Sequence, residues 1–300
     1  MDSALGHWLA LRESADTAAR STRLTQTIAD VVAGKPAQDA EPVGVLDLCT
    51  GTGSNIRYLA GRLQSPQRWL GIDRDPALLA LLPTRTASWG AARGYEVQAG
   101  EGGCAIRSDT LDCRIETRCL DLGPLDDPGV FSGRDLVTAS ALLDLVSEAW
   151  LRTLAARCRA VGAAALFTLI YDGRSSCTPE EPEDDTILEL FNRHQRTDKG
   201  LGGPAAGPGA AECAVRCFAE VGYEVHRAQS DWVIEPGERE FQRQLIEGWA
   251  EAAAEMAPDR AALIAGWLAR RLGHVDAGRS RVVVGHRDVA AWLPERPTFA

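Results

Sequence analysis

Chemistry in this chain concentrates first in "VLDLCTGTGSN", residues 45–55, where an apolar run ends in Asp47 and a turn carrying Gly51 and Gly53 follows at once. Glycines there let a ligand approach the backbone closely, and the next helix offers its N-terminal amides. Two ligand classes compete for such a loop. A dinucleotide brings a pyrophosphate and prefers G-x-G-x-x-G, but Gly53 is followed by Ser54, Asn55 and Ile56, so the third glycine is absent. Asp47, closing the strand, would meet a phosphate unfavourably and attract a cation instead. S-adenosylmethionine (SAM) carries an ammonium and a sulfonium and no phosphate. Asp73 ends the next apolar run, "RWLGID", where an acid can accept hydrogen bonds from both ribose hydroxyls of either ligand. Asp73 taken with Asp47 and the missing glycine favours SAM over NAD(P), which would make the chain an oxidoreductase.

Particular elements must hold these residues. Helical spacing of Trp8, Leu11 and Ala15, then Leu24, Ile28 and Val31, predicts a helix over 3–33, and "GKPAQDAEP" breaks it as a loop. Strands are expected at 44–48 and 68–73. Ser54 would cap the helix after the first strand, and Asp75 with Pro76 would open the helix after the second. A hairpin-like excursion around Gly102 and Gly103 leads to a third strand near 112–120. Strands at 135–140 and 163–173 flank a helix at 147–160. Strands alternating with helices through short joins imply an α/β, doubly wound, parallel sheet. Beyond residue 173 come a helix through Leu190 and Phe191, the Gly/Pro-rich loop 200–209, a helix at 210–220 and a strand near 223–230. A helical segment 238–272, split at Pro258, precedes a late strand at 279–287. The last two strands are expected to pair antiparallel at the sheet edge.

With those residues in place, the sequence resembles the class I SAM-dependent methyltransferases over residues 44–170. "VLDLCTGTG" is similar to their first motif, with Cys49 where the family has its first glycine. "GIDRDP" resembles the second, "RCLDLG" the third and "DLVTASALLDLV" the fourth. The resemblance implies a mostly parallel seven-stranded sheet with an antiparallel last strand. It makes the chain one domain: a helical cap over 1–40, a SAM-binding core over 41–173, and a second half over 174–300 with helical insertions near 174–209 and 238–272. The cofactor set it implies is Asp47, Cys49, Thr50, Gly51, Gly53, Asn55, Asp73, Arg74, Asp121, Leu122 and Ser140. In that set Asp73 takes the ribose, Asp121 the adenine amine, and Leu122 lines the adenine pocket. The reaction implied is a single in-line displacement at carbon, in which the protein supplies proximity, alignment and removal of a proton.

The covering parts outside the core suggest a closed pocket for a small molecule. The Asn-Pro-Pro-aromatic and Pro-Cys motifs of DNA methyltransferases are absent. If the fourth motif aligns, Asp144 lies near the methyl group as an acceptor-positioning group or base; otherwise it is a loop acid. His194, in "FNRHQRTDKG", is a second candidate base or a plain polar helix residue. Tyr171 and Asp172 follow the fifth strand and Trp232 the sixth, where they either contact substrate or serve packing and turns. Arg12, Arg20 and Arg23 on the first helix either bind an acidic substrate or form a solvated face. The 200–209 loop is either the hinge of a lid or a connector.

Composition narrows the partners. Three hundred residues bury a sizeable core, and the net charge of −10 argues against general affinity for nucleic acid or anionic membranes. Eight cysteines without a CxxC predict free buried thiols and no metal site, with Cys213 and Cys217 at helical spacing. "MDSALGHWLALRES" lacks the basic start and apolar run of a secretory leader, and no stretch has the length of a membrane span. A cytoplasmic protein is expected.

Overall fold

The computed structural model describes residues 4–34, 41–100, 102–123 and 125–294. Parts of the expected 34–42 loop and of the 1–40 cap lie outside these. The chain opens with α1 (Ala4–Ala19) and α2 (Thr22–Ala33), then β1 (Val43–Leu48), α3 (Ser54–Ala60), β2 (Gln67–Asp73) and α4 (Pro76–Ala91). A hairpin of β3 (Glu96–Gly100) and β4 (Gly103–Arg107) leads into β5 (Asp112–Cys119), followed by β6 (Leu136–Ser140), α5 (Glu148–Val161) and β7 (Ala164–Thr178). The rest comprises α6 (Asp184–His194), α7 (Ala210–Glu220), β8 (Glu224–Gln229), β9 (Trp232–Ile234), α8 (Arg239–Met256), α9 (Ala261–Asp276) and β10 (Arg281–Trp292).

The strands form a 10-stranded sheet in the order β3-β4-β5-β2-β1-β6-β7-β10-β8, with β9 pairing beside β10. From β5 to β7 all pairs are parallel, whereas β10 runs antiparallel to β7 and β8. The expected architecture is therefore present: seven core strands with one antiparallel, and the hairpin added at one edge. β8 and β10 pair antiparallel, as the sequence suggests, and β8 is the edge. β1 is buried at every position because helices cover both sheet faces, which is why its sequence reads as an unbroken apolar run.

Local chemistry explains the element ends and two departures from expectation. Asp75 caps α4 by accepting from Ala77 N at 2.8 Å, as predicted. The cap of α3 is Gly53 rather than Ser54: Gly53 adopts φ +82°, and a Cβ there would sit 2.8 Å from Leu82 Cγ, so only glycine fits the turn. The predicted helix 3–33 is two helices. Ser21 is extended, its hydroxyl accepts from Leu24 N, and its own N–H donates to the buried Asp288 Oδ2 at 2.7 Å. A distant carboxylate thus breaks a locally continuous helical pattern. The split at Pro258 is where the sequence places it.

Two apolar cores lie on the two sheet faces. A third core sits beyond the carboxyl edge, where Trp232, Phe241, Trp249 and Trp267 of the late segment pack with Leu169, Tyr171, Ile187 and Leu190. That third core places α1, α6, α8 and α9 over the end of the sheet where ligands bind in such folds. The 200–209 loop is strapped to the body by Ser147 N donating to Leu201 O and Ala206 N to Val146 O. All eight cysteines are free; Cys119 is exposed, contrary to the expectation of burial. No helix among the described residues is long and apolar enough to cross a membrane.

Candidate functional site

The turn after β1 is organised by Asp47. Its fully buried carboxylate accepts from Thr50 Oγ1 at 2.6 Å and Asn55 Nδ2 at 2.7 Å, and Asn55 also reaches Thr138 Oγ1. Burial pushes the Asp47 carboxyl up to about 6, while the bonds from Thr50 and Asn55 pull the other way. Asp47 therefore lies beneath the loop and shapes it. Asp73 joins the loop to the second strand: Oδ2 accepts from Gly51 N at 2.8 Å and Oδ1 from Asp75 N at 3.0 Å. Cys49 takes the left-handed conformation that favours glycine (φ +52°).

This loop floors a cavity of 310 Å³ at the carboxyl edge. Of the eleven cofactor residues expected from sequence, nine line it: Cys49, Thr50, Gly51, Asn55, Asp73, Arg74, Asp121, Leu122 and Ser140. Asp47 lies beneath it, and Gly53 starts the helix behind it. Leu5, Leu9, Arg12 and Asp16 form one stripe of α1 and roof the cavity. Charged lining groups comprise four carboxylates (Asp16, Asp73, Asp75, Asp121) against two guanidinium groups (Arg12, Arg74). Thr52 and Asn55, both lining residues, each keep a buried side-chain oxygen without a partner. A glycine-floored, acid-rich, partly unsatisfied cavity fits a polar ligand bearing positive charge.

Three expected residues, Asp144, Tyr171 and Trp232, lie beside the cavity but outside its lining, and Tyr171 and Trp232 belong to the third apolar core. Asp144 follows β6 in a short turn beside Leu142 and Leu145 of the lining, is buried, and has Oδ1 without a partner. Burial pushes its carboxyl up to about 6, against bonds from its own and the Tyr171 backbone amide and the nearby charges of Arg12 and Lys199. Tyr171 is buried, and its hydroxyl donates to Asn192 Oδ1 at 2.9 Å. Trp232 donates Nε1–H to Asp16 Oδ1 at 3.0 Å, and the Arg12 guanidinium lies 4.8 Å over its ring while binding Asp16 through Nε. Asp144, Tyr171 and Trp232 thus gather near Arg12.

Two other expected residues sit elsewhere. Asp172 pairs with Arg174 and Arg287, because adjacent strand residues point to opposite faces. His194 closes α6, with Nε2 3.2 Å from Glu255 Oε2 and Lys199 beside the ring, outside the cavity lining.

Sequence reasoning missed Asp16 and His286, and it offered Arg12 and Arg20 as substrate binders or a solvated face, whereas both are largely buried. Asp16 and Arg12 are four apart on the roof stripe, a spacing visible in the sequence. Arg20 is buried against Tyr58 and donates to Ser140 Oγ at 2.9 Å and Thr168 Oγ1 at 3.3 Å, leaving Nη1 without a partner. His286 lies 4.6 Å from the Trp232 ring, and its Nδ1 faces the Val284 carbonyl at 3.0 Å; a carbonyl only accepts, so Nδ1 carries the proton. Burial lowers its pKa to about 3, helped by Arg12, so the ring is neutral. Its one sequence signal is a polar residue inside "VVVGHR".

No protein-family model matches the chain, and no curated protein matches it. Among solved structures, a SAM-dependent methyltransferase from Geobacter sulfurreducens in complex with S-adenosylhomocysteine is similar at 15% identity and TM-score 0.44, covering 96% of this chain and 98% of that one. The geranyl diphosphate C-methyltransferase of Streptomyces coelicolor is similar at 13% identity and TM-score 0.41, covering 91% and 78%. A cyclopropane synthase from Mycobacterium tuberculosis is similar at 11% identity and TM-score 0.41, covering 88% and 82%.

Proposed function

We propose that this chain is a SAM-dependent methyltransferase acting on a small-molecule acceptor. The observation that carries the reading is the charge of the cavity over the glycine loop: four carboxylates against two guanidinium groups. A pyrophosphate would be repelled there, whereas an ammonium and a sulfonium are favoured.

SAM supplies a methyl carbon on a sulfonium that is already a good leaving group. The chain's residues do the rest. Gly51 and Gly53 let the ligand lie against the backbone. Asp73, fixed by the amides of Gly51 and Asp75, keeps lone pairs for the ribose hydroxyls. Asp121 and Leu122 bound the adenine end, and Ser140, held by Arg20, bounds the opposite end. The α1 stripe keeps water out and limits the acceptor to what fits beneath it, which supports a small molecule. Asp144, with one unpartnered oxygen and a carboxyl near 6, is the group suited to take a proton from the acceptor at neutral pH.

Calorimetric titration with SAM, followed by detection of S-adenosylhomocysteine over a panel of small acceptors, tests the reading. Saturable binding and acceptor-dependent turnover are expected. Absence of SAM binding overturns the proposal. Binding without turnover on any acceptor points to a non-catalytic SAM-binding protein.

A further inference from the structure

A second concavity lies on the other side of α1. Glu13, Thr17, Arg57, Arg62, Trp89 and Arg93 are among the residues lining a groove of 690 Å³ between α1, α3 and α4. The buried Arg57 pairs with Glu13 at 2.7 Å, which uses the carboxylate on that wall. Arg62 and Arg93 remain. Among the described residues neither makes an ion pair, although the chain carries 42 acidic residues against 32 basic ones. Each is instead stacked on a ring: Arg62 Cζ lies 4.0 Å from the Tyr58 centroid and Arg93 Cζ 4.8 Å from that of Trp89. Each also donates to the carbonyl of the residue it covers. Trp89 and Tyr95, both half-buried, meet at 5.4 Å and 59°.

Stacking orders a guanidinium while leaving its outer N–H edge free to bind an anion. Three guanidinium groups against one carboxylate leave the groove locally positive, and the exposed parts of Trp89 and Tyr95 offer a surface for a flat ring. We propose that this groove is a second ligand site, for a small molecule that joins an aromatic ring to a phosphate or carboxylate. The site does not rest on the proposed methyl transfer. It does share a residue with the cofactor loop, because Arg57 also donates to the Thr52 carbonyl at 2.6 Å.

Calorimetry with phenyl phosphate and with benzoate, run on the full chain, tests this and tells which anion is preferred. Saturable one-to-one binding of at least one is expected, weakened roughly tenfold or more by Arg62→Ala and by Arg93→Ala through loss of a charged hydrogen bond. The same probe should bind Asp73→Ala as it binds the native protein, which separates this groove from the cofactor cavity. Both arginines are exposed, and thermal melts of the variants check that they fold. No saturable binding of either probe up to about 10 mM, a free energy too small for a built site, overturns the proposal. So does affinity unchanged in both arginine variants, or inorganic phosphate binding as tightly as phenyl phosphate.

Discussion

The loop wall of the cavity and the side-chain cluster beside it are built differently. On the loop wall, partners are near in sequence or on adjacent strands. Thr50 and Asn55 lie three and eight positions from Asp47, and Gly51 reaches Asp73 across the β1–β2 pair. In the cluster beside it, Trp232 and Asp16 are 216 positions apart, Arg20 and Ser140 120, and Leu169 donates its N–H to Asp288 119 positions away. The loop wall presents backbone amides and pinned carboxylates, which hold a ligand but do not select a reaction. The cluster presents side chains from five or so separate elements, brought together by an aromatic core. On the proposed reaction, the loop wall should therefore govern SAM affinity and the cluster turnover.

Substitutions that separate binding from turnover test that division. The largest effect is expected from Asp144→Asn. On the proposed reaction, S-adenosylhomocysteine formation should fall by about a hundredfold or more while SAM affinity stays the same. The same variant has a stability signature. The Asp144 carboxyl goes from an ordinary 3.8 to about 6 in the fold, so the native state holds more protons between these values. That contribution disfavours the native state increasingly as pH rises from about 4 to about 6 and is constant above. Melting temperature of Asp144→Asn relative to the native protein should accordingly rise through that window and level off near pH 7. A flat difference would mean that Asp144 is not desolvated.

Asp73→Ala removes an acceptor and orphans the Gly51 amide; SAM affinity should drop by about a hundredfold, with a folded circular-dichroism spectrum. Equal losses in SAM affinity for Asp73→Ala and Asp144→Asn would erase the distinction between the loop wall and the cluster. Gly53→Ala puts a methyl group 2.8 Å from Leu82 Cγ at φ +82°, and chemical denaturation should show a loss of about 2–3 kcal/mol. The smallest effect is expected at Cys49→Gly. Relief of the left-handed strain at φ +52°, offset by glycine's entropy, should give a gain below about 1 kcal/mol in the same measurement.

Much of the framework was legible. The apolar runs of β1 and β2 end in Asp47 and Asp73, the Gly51–Gly53 turn follows, and helical stripes sit between strands. These are short-range patterns, so residue spacing alone carries them. The late strand was legible as a strand but not in its extent, since β10 runs to Trp292 only because β7 and β8 pair with it. The short strand β9 was missed for the same reason: three residues carry no period, and it exists only beside β10. The break between α1 and α2 was hidden because its cause, Asp288, lies 267 positions from Ser21.

Sequence alone determined the parallel sheet and the glycine loop, because spacing dictates which side chains emerge at one sheet edge, and the motif resemblance named nine residues that line the cavity. Tertiary structure decided what those residues do. It sank Asp47 beneath the loop, turned Asp172 to the other face and left His194 with Glu255. It also brought Arg12, Asp16, Trp232 and His286 together beside the cavity, where burial keeps the His286 ring neutral. Such contacts depend on how distant helices close over the sheet, and burial, unlike spacing, is a property of the packed chain.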